Sequence, residues 1–334
     1  MSRARDGIEA LGARVGADII GQRDVIERLL IGLLANGNLL IEGLPGLAKT
    51  RAVKSLAKNL DAAFSRIQFT PDLLPSDVTG SDIYDASTAS FRFEPGPIFA
   101  NMVLVDEINR APAKVQAALL EAMEERQVTI GGTTHKMDPL FQVMATQNPI
   151  EQEGTYPLPE AQKDRFLMQV NVVYPPIEDE KSVMELVRSE EQAANAPAIG
   201  AADGNDAARP ARPEPLDPQI VFDARAEIAM LHMDETVAQY IVDLVQATRT
   251  PDMYDAELAG QIAVGVSPRA SIGFDRASRA RAWLMGRDFV TPDDVAALAP
   301  DILRHRLTLS YSAEGAGVTA DQVVTGLLER VAAP

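Results

Sequence analysis

The chain has 334 residues, 46% of them hydrophobic, and a formal net charge of -17, which gives enough apolar material for two cores and a surface that repels nucleic-acid phosphate unless cations gather on one face. It has no cysteine, which excludes disulfides, thiolate metal centres and thiol nucleophiles, and no apolar run approaches the ~18 residues of a membrane span. His135, His232 and His305 lie far apart and are expected at the surface or at helix ends rather than on a metal; since the start at Met1-Ser2-Arg3 leads into no apolar signal block, the expected compartment is the cytoplasm.

The first informative elements are a strand, a turn and a helix. Asn38-Leu39-Leu40-Ile41-Glu42 reads as a strand, Gly43-Leu44-Pro45-Gly46-Leu47-Ala48-Lys49-Thr50 follows, and Val53, Leu56, Ala57 and Leu60 then fall at helical spacing. A triphosphate needs backbone N-H groups aimed at it, a helix N-terminus and a mobile cation, and this stretch can supply all three. It is read as a nucleotide loop. The usual pattern is G-x-x-x-x-G-K-[ST]; Ala48 stands at its second glycine, and alanine is the smallest substitute. Lys49 would neutralise the β and γ phosphates, and the Thr50 hydroxyl would bind Mg²⁺.

Phe64 to Phe69 reads as the next strand, and the apolar runs Met102 to Val105, Phe141 to Ala145 and Phe166 to Val172 each fit a buried parallel strand. A helix over Ala113 to Glu125 carries the stripe Val115, Ala118, Leu119, Ala122. Strands alternating with helices predict an α/β fold, an open parallel sheet covered on both faces. After Tyr174-Pro175-Pro176 the apolar strand runs stop and the rest is predicted helical, so the domains are set at 1–176 and 177–334. Residues 191–215, rich in alanine, proline and glycine, are expected to be a flexible linker. Asp234 is expected to cap a helix, Pro268 to begin one that ends at Gly286, and Thr291-Pro292-Asp293-Asp294 to begin another.

Hydrolysing a phosphoanhydride takes a metal, a polarised water and cations around the leaving charge. Val103-Leu104-Val105-Asp106-Glu107 ends a strand on two carboxylates. At the carboxyl end of a parallel strand, adjacent to the one that carries the loop, Asp106 would hold Mg²⁺ through its water shell and Glu107 would orient and deprotonate the attacking water. Asn148 could bond the γ-phosphate or that water, although Asn148-Pro149 favours a turn by itself. Arg165, just before a strand, and Arg269, in the first turn of a helix, could each spread five donors over phosphate oxygens, against the alternative of an ordinary surface ion pair.

In order and wording these parts resemble the AAA+ ATPases, and within them the MoxR branch, over nearly the whole chain. The most specific pieces are Glu42 to Thr50, Asp106-Glu107-Ile108-Asn109-Arg110-Ala111, Ala145-Thr146-Gln147-Asn148-Pro149 and Gly154-Thr155-Tyr156-Pro157-Leu158-Pro159-Glu160-Ala161-Gln162. The resemblance implies an AAA+ P-loop parallel sheet flanked by helices and followed by a small all-helical lid, and it makes Ala48 that family's own habit. By the same resemblance Asn148 matches sensor 1, Arg165 the trans-acting arginine finger and Arg269 sensor 2, while Ile20 and Gly21 lie in the segment that contacts adenine. Lys163 and Arg110 are nearby cations that could also face a neighbour. Residues 71–99 look like an insert in the second helix, and 127–140 like a β-hairpin turning at Gly131-Gly132.

The implied activity is Mg²⁺-dependent ATP hydrolysis by a homo-oligomeric ring, expected to be a hexamer, that remodels partner proteins in the manner of a chaperone. Expected clients are von Willebrand factor A domain proteins or metalloenzymes during maturation. The implied cofactors are ATP and Mg²⁺. The alternatives are a nucleic-acid motor or helicase loader, which the acidic balance and the weakly charged hairpin argue against, and the motor subunit of a metal chelatase. Neither nucleic acid nor membrane insertion is expected.

Overall fold

The computed structural model describes residues 2–43, 49–147, 156, 158–174, 176–195 and 213–334. Helices α1 (Arg3–Asp18) and α2 (Arg23–Leu34) lead into β1 (Leu39–Gly43), followed by α3 (Lys49–Asn59), β2 (Phe64–Gln68) and the short α4 (Pro75–Thr79). A hairpin of β3 (Gly80–Asp85) and β4 (Ser90–Pro95) precedes β5 (Met102–Asp106) and α5 (Ala113–Glu125). A second hairpin, β6 (Gln127–Ile130) and β7 (Thr133–Lys136), leads to β8 (Gln142–Gln147), α6 (Glu160–Lys163) and β9 (Met168–Val172).

The strand order is β2-β5-β8-β1-β9, and every pairing in this sheet is parallel. Successive side chains on a strand point to opposite faces, and both faces are buried here. Leu39 and Ile41 pack into a cluster with Leu29 and Leu33 of α2, while Leu40 joins Val103, Leu119, Phe141 and Phe166 on the other face. The continuous apolar runs seen in the sequence follow from this double cover.

The remainder comprises α7 (Ile177–Asn195), α8 (Gln219–Ala229), α9 (Glu235–Arg249), α10 (Ala256–Gln261), β10 (Ile262–Val264), α11 (Pro268–Leu284), α12 (Pro292–Leu303), β11 (Thr308–Leu309), α13 (Tyr311–Gly315) and α14 (Ala320–Arg330). The predicted helix starts are present: Asp234 accepts the Thr236 N-H at 2.9 Å, and Thr291 with Asp294 forms a reciprocal cap on α12. The helical run is interrupted by one antiparallel ribbon, β10 on β11, too short to appear as a strand pattern in the sequence. Of the expected linker, Glu191 to Asn195 continue α7 and 196–212 lie outside the described residues.

The lid packs closely on the sheet-bearing part. Helices α8 and α11 lie against α1 and α2, and Trp283 is buried between them with its Nε1 donating to Glu227 at 2.9 Å and the Arg5 guanidinium over its ring. Ser2, the α1 cap, donates to the same Glu227 carboxylate at 2.8 Å. His305 does follow the end of α12, but at 6% exposure it is buried rather than at the surface, with Nε2 3.2 Å from the Phe166 carbonyl.

Candidate nucleotide site

The site begins where β1 ends. A Cβ on Gly43 would lie 2.6 Å from the Val172 carbonyl of β9, so glycine is what lets the two strands run together up to the loop. Leu44, Pro45, Gly46, Leu47 and Ala48 fall outside the described residues, as does Asn148. Lys49 opens α3, with Thr50 beside it in the first turn, and its Nζ folds back to donate to the Gly43 carbonyl at 2.7 Å. Burial pushes the Lys49 ammonium below the usual lysine range, against the pull of Asp106, Glu107 and Glu42. Those three carboxylates and the lysine therefore share one electrostatic field.

Asp106 closes β5 and Glu107 follows it. The adjacency expected of β1 and β5 is not found: β8 stands between them, because strand neighbours are decided by tertiary pairing and not by sequence order. Thr146 of β8 fills the gap. Its hydroxyl donates to Asp106 Oδ1 at 3.2 Å and accepts the Glu107 N-H at 2.9 Å. Asp106 Oδ2 accepts from Arg66 Nε at 2.6 Å. Glu107 has φ 58° and ψ 50°, a left-handed conformation that costs a side-chain-bearing residue about 1 kcal/mol. Its Oε2 accepts from Gln68 Nε2 at 2.8 Å and lies 3.1 Å from Arg110 Nε.

Arg66, Gln68 and Thr146 were missed in the sequence reading. Arg66 and Gln68 lie two apart on one face of β2, in register with Leu104 and Asp106 of β5, a placement that only the pairing of the strands reveals. Arg110 pairs with Glu107 in the same subunit, and Lys163 acts on the half-buried Glu42, whose carboxyl burial raises while Lys163, Arg304 and Lys49 lower it.

Ile20 and Gly21 lie between α1 and α2, where Gly21 turns the chain with φ 75°. This turn is tied to α3 behind the loop, since Arg51 Nε donates to the Asp18 carbonyl at 2.6 Å and Ser55 Oγ to the Asp18 carboxylate at 2.6 Å. Gln22 adds a bond to the Val173 carbonyl just past β9.

Arg165 and Arg269 are found together at the other end of the sheet. Met168 pairs with Leu39 at the start of β1, and the Leu167 N-H bonds the Asn38 carbonyl at 2.8 Å. Arg165 thus sits a strand length, roughly 15 Å, from the loop. Its Nη2 is 3.2 Å from Glu124 Oε2, and Arg269 bonds the other oxygen of the same carboxylate. The two arginines border a cavity of about 410 Å³ at the junction of sheet and lid, together with Arg126, Arg276 and Arg306. Arg306 is drawn down to about 10 by burial, against the pull of Asp164 at 2.9 Å.

The carboxyl edge fits a magnesium nucleotide. Mg²⁺ takes hard oxygen ligands, one or two from protein and the others from phosphates and water, and Thr50 with Asp106 offers that donor set next to an ammonium already set among carboxylates.

Residues 38–168 match the ATPase family associated with various cellular activities (AAA), and 256–327 match the AAA lid domain. Chaperone MoxR1 of Mycobacterium tuberculosis is 44% identical over 317 residues, covering 95% of this chain and 79% of that one. Uncharacterized protein YeaC of Bacillus subtilis is 44% identical over 320 residues, with 95% and 91% covered. A crystal structure assigned to an ATPase of Cytophaga hutchinsonii aligns with a TM-score of 0.86 at 44% identity, covering 99% of this chain and 96% of its own. The matched segments are the sheet that carries Lys49, Asp106 and Glu107 and the lid that carries Arg269, and the chain belongs to the MoxR-type AAA+ ATPases and hydrolyses ATP.

Proposed function

We propose that the protein is a Mg²⁺-dependent ATPase that works as a head-to-tail ring and remodels partner proteins. The observation that carries this is the separation of its charges. Lys49, Asp106 and Glu107 gather at the carboxyl edge of the sheet, and Arg165 with Arg269 gathers at the amino edge. One subunit cannot bring both groups to a single phosphate. A neighbour docked on a different face completes the site, and such heterologous contacts close into rings when the rotation allows. The size we assign from the family is a hexamer.

In this reading Lys49 binds the β and γ phosphates, Thr50 and Asp106 hold Mg²⁺, and the ion supplies charge neutralisation on the phosphate oxygens. Glu107 takes a proton from the attacking water, and its left-handed backbone with the Gln68 and Arg110 contacts orients the carboxylate. Asn148 bonds the γ-phosphate or the water, Gly43 to Ala48 wrap the phosphates, and Ile20 with Gly21 contacts the adenine. Arg165 and Arg269 reach a neighbour's nucleotide. This assignment favours trans action for Arg269, which shares the amino edge with Arg165, while Arg110 pairs with Glu107 at the carboxyl edge of its own subunit.

The name of the M. tuberculosis relative supports a chaperone role, with von Willebrand factor A domain proteins or maturing metalloenzymes as the clients we would test first. The two hairpins are the candidate client surface. Phe93 of β4 stacks on His135 of β7 with ring centroids 3.8 Å apart, so the hairpins lie against each other, and Ile83, Tyr84 and Phe91 remain exposed on the first. The division into an ATPase core, 1–176, and a lid, 177–334, belongs to the same reading. Among the described residues no helix is long and apolar enough to cross a membrane, and we place the protein in the cytoplasm.

Glu107→Gln tests the assignment. The variant should bind ATP as the parent does and lose turnover by about 10² or more, the scale of a general base. Turnover within a few-fold of the parent would remove Glu107 from the chemistry. The ATP-loaded variant is also the form in which a client should co-purify.

A further inference from the structure

Glu124 stands on the last turn of α5 and spends each oxygen on a different guanidinium: Oε2 lies 3.2 Å from Arg165 Nη2, and Oε1 meets Arg269 Nη2. Arg165 comes from the sheet-bearing part and Arg269 from the lid, so one carboxylate ties the two parts together. The residues lie open to the cavity, with side-chain exposures of 35% for Glu124, 32% for Arg165 and 43% for Arg269. Ion pairs this exposed contribute little to stability and exchange readily with a stronger anion.

The cavity is short of acid. Its five arginines meet only Glu124 and Asp164, and Asp164 is already engaged by Arg306. Arg276, two turns beyond Arg269 on the same face of α11, has no carboxylate partner among the described residues. Arg126 is held by the Phe141 carbonyl and by Asn36 Oδ1 at 2.9 Å. The lining therefore carries surplus positive charge, and a guanidinium pair bridged by one carboxylate already has the spacing at which two cations share oxygens of a single anion.

We infer that Glu124 is a latch: in the free subunit it occupies the Arg165 and Arg269 donors in place of phosphate, and docking against a neighbour loaded with ATP transfers those donors to the triphosphate and releases the carboxylate. This rests on the reading of Arg165 and Arg269 as trans-acting. Glu124 is then a positioning residue that makes assembly depend on nucleotide. A triphosphate, with its three or four negative charges, displaces the carboxylate, whereas an empty neighbour offers nothing to the arginines and leaves the latch shut. Arg276 adds a cation to the face the phosphate approaches.

The experiment measures ATP turnover per subunit against subunit concentration for the parent, Glu124→Gln and Glu124→Asp, with thermal melting of each as a control for folding. Glu124→Gln keeps the shape and removes the charge. Its half-maximal subunit concentration should fall by about threefold or more, and sizing should find it more assembled in ADP than the parent. Glu124→Asp retains the charge and should stay near the parent. A half-maximal concentration for Glu124→Gln that is unchanged or higher overturns the latch, and so does an equal fall in Glu124→Asp, since charge would then not be the agent. Arg165→Ala in the same assay separates the two levels of the argument. If it retains turnover, the trans-arginine reading itself fails; if it loses turnover while Glu124→Gln does not shift, only the latch fails.

Discussion

Among single residues, His305 shows how a buried group can carry a pH dependence unrelated to chemistry. Burial, with Arg306 beside it, holds its imidazole well below the ordinary histidine value of 6.5. The folded state therefore refuses a proton that the unfolded chain accepts. Nothing is lost above the unfolded pKa, and stability declines as pH falls below it. Between pH ~6.5 and ~5 the parent should lose up to about 1.4 kcal/mol per pH unit relative to His305→Gln, read from denaturant midpoints at each pH; parallel curves would mean that the imidazole is not held neutral. Its position after α12 was legible, but its burial was not, because the Phe166 carbonyl that covers it lies 139 residues away in sequence. Lys49, Thr50, Asp106 and Glu107 stood out as candidates for the opposite reason: phosphate chemistry would need those residue types next to strand ends, and the chain writes them as two adjacent pairs. Arg66 and Gln68 did not, since a polar residue on an edge strand has a solvated surface as its ordinary explanation.

For the elements, periodicity did most of the work. The double cover of the sheet buries β5 and β8 at every position and makes Met102 to Val105 and Val143 to Ala145 continuous apolar runs, and α5 begins and ends where its stripe and flanking residues predict. The hairpin at Gly131-Gly132 turns as expected, with φ of 56° and 83° at the two glycines. What its sequence could not convey is that the turn abuts the other hairpin, where a Cβ on Gly131 would meet the Asp82 carboxylate of β3. The Phe93–His135 stack joins the same two pieces. Such a ring pair is worth about 0.5–1.5 kcal/mol, so Phe93→Ala should cost little global stability while raising hydrogen exchange at the β6 and β7 amides, with the five-stranded sheet unaffected. Unchanged exchange in β6 and β7 would show that the hairpins are held by other contacts.

Over the whole molecule, the decisive feature is that its two charged groups face opposite ways. If Arg269 serves a neighbour, Arg269→Ala subunits keep a working loop and lack only a donor, while Lys49→Ala subunits lack the loop and still carry the arginine. Mixing two inactive proteins should then restore turnover above the sum of the parts, to about a quarter of the parent or less, as only mixed contacts in one orientation are complete. No rescue would return Arg269 to its own subunit's site. The sequence by itself determined the parallel sheet, the acidic strand end and the family, because each rests on residues close together in the chain whose local conformation and chemistry are set by near neighbours. Only the tertiary structure decided that β8 separates β1 from β5, that Thr146 bridges the acidic pair, and that Arg165 and Arg269 meet on Glu124 far from their own loop. Those are contacts between distant segments, selected by how the faces of the sheet and the lid bury together, and near neighbours carry no information about them.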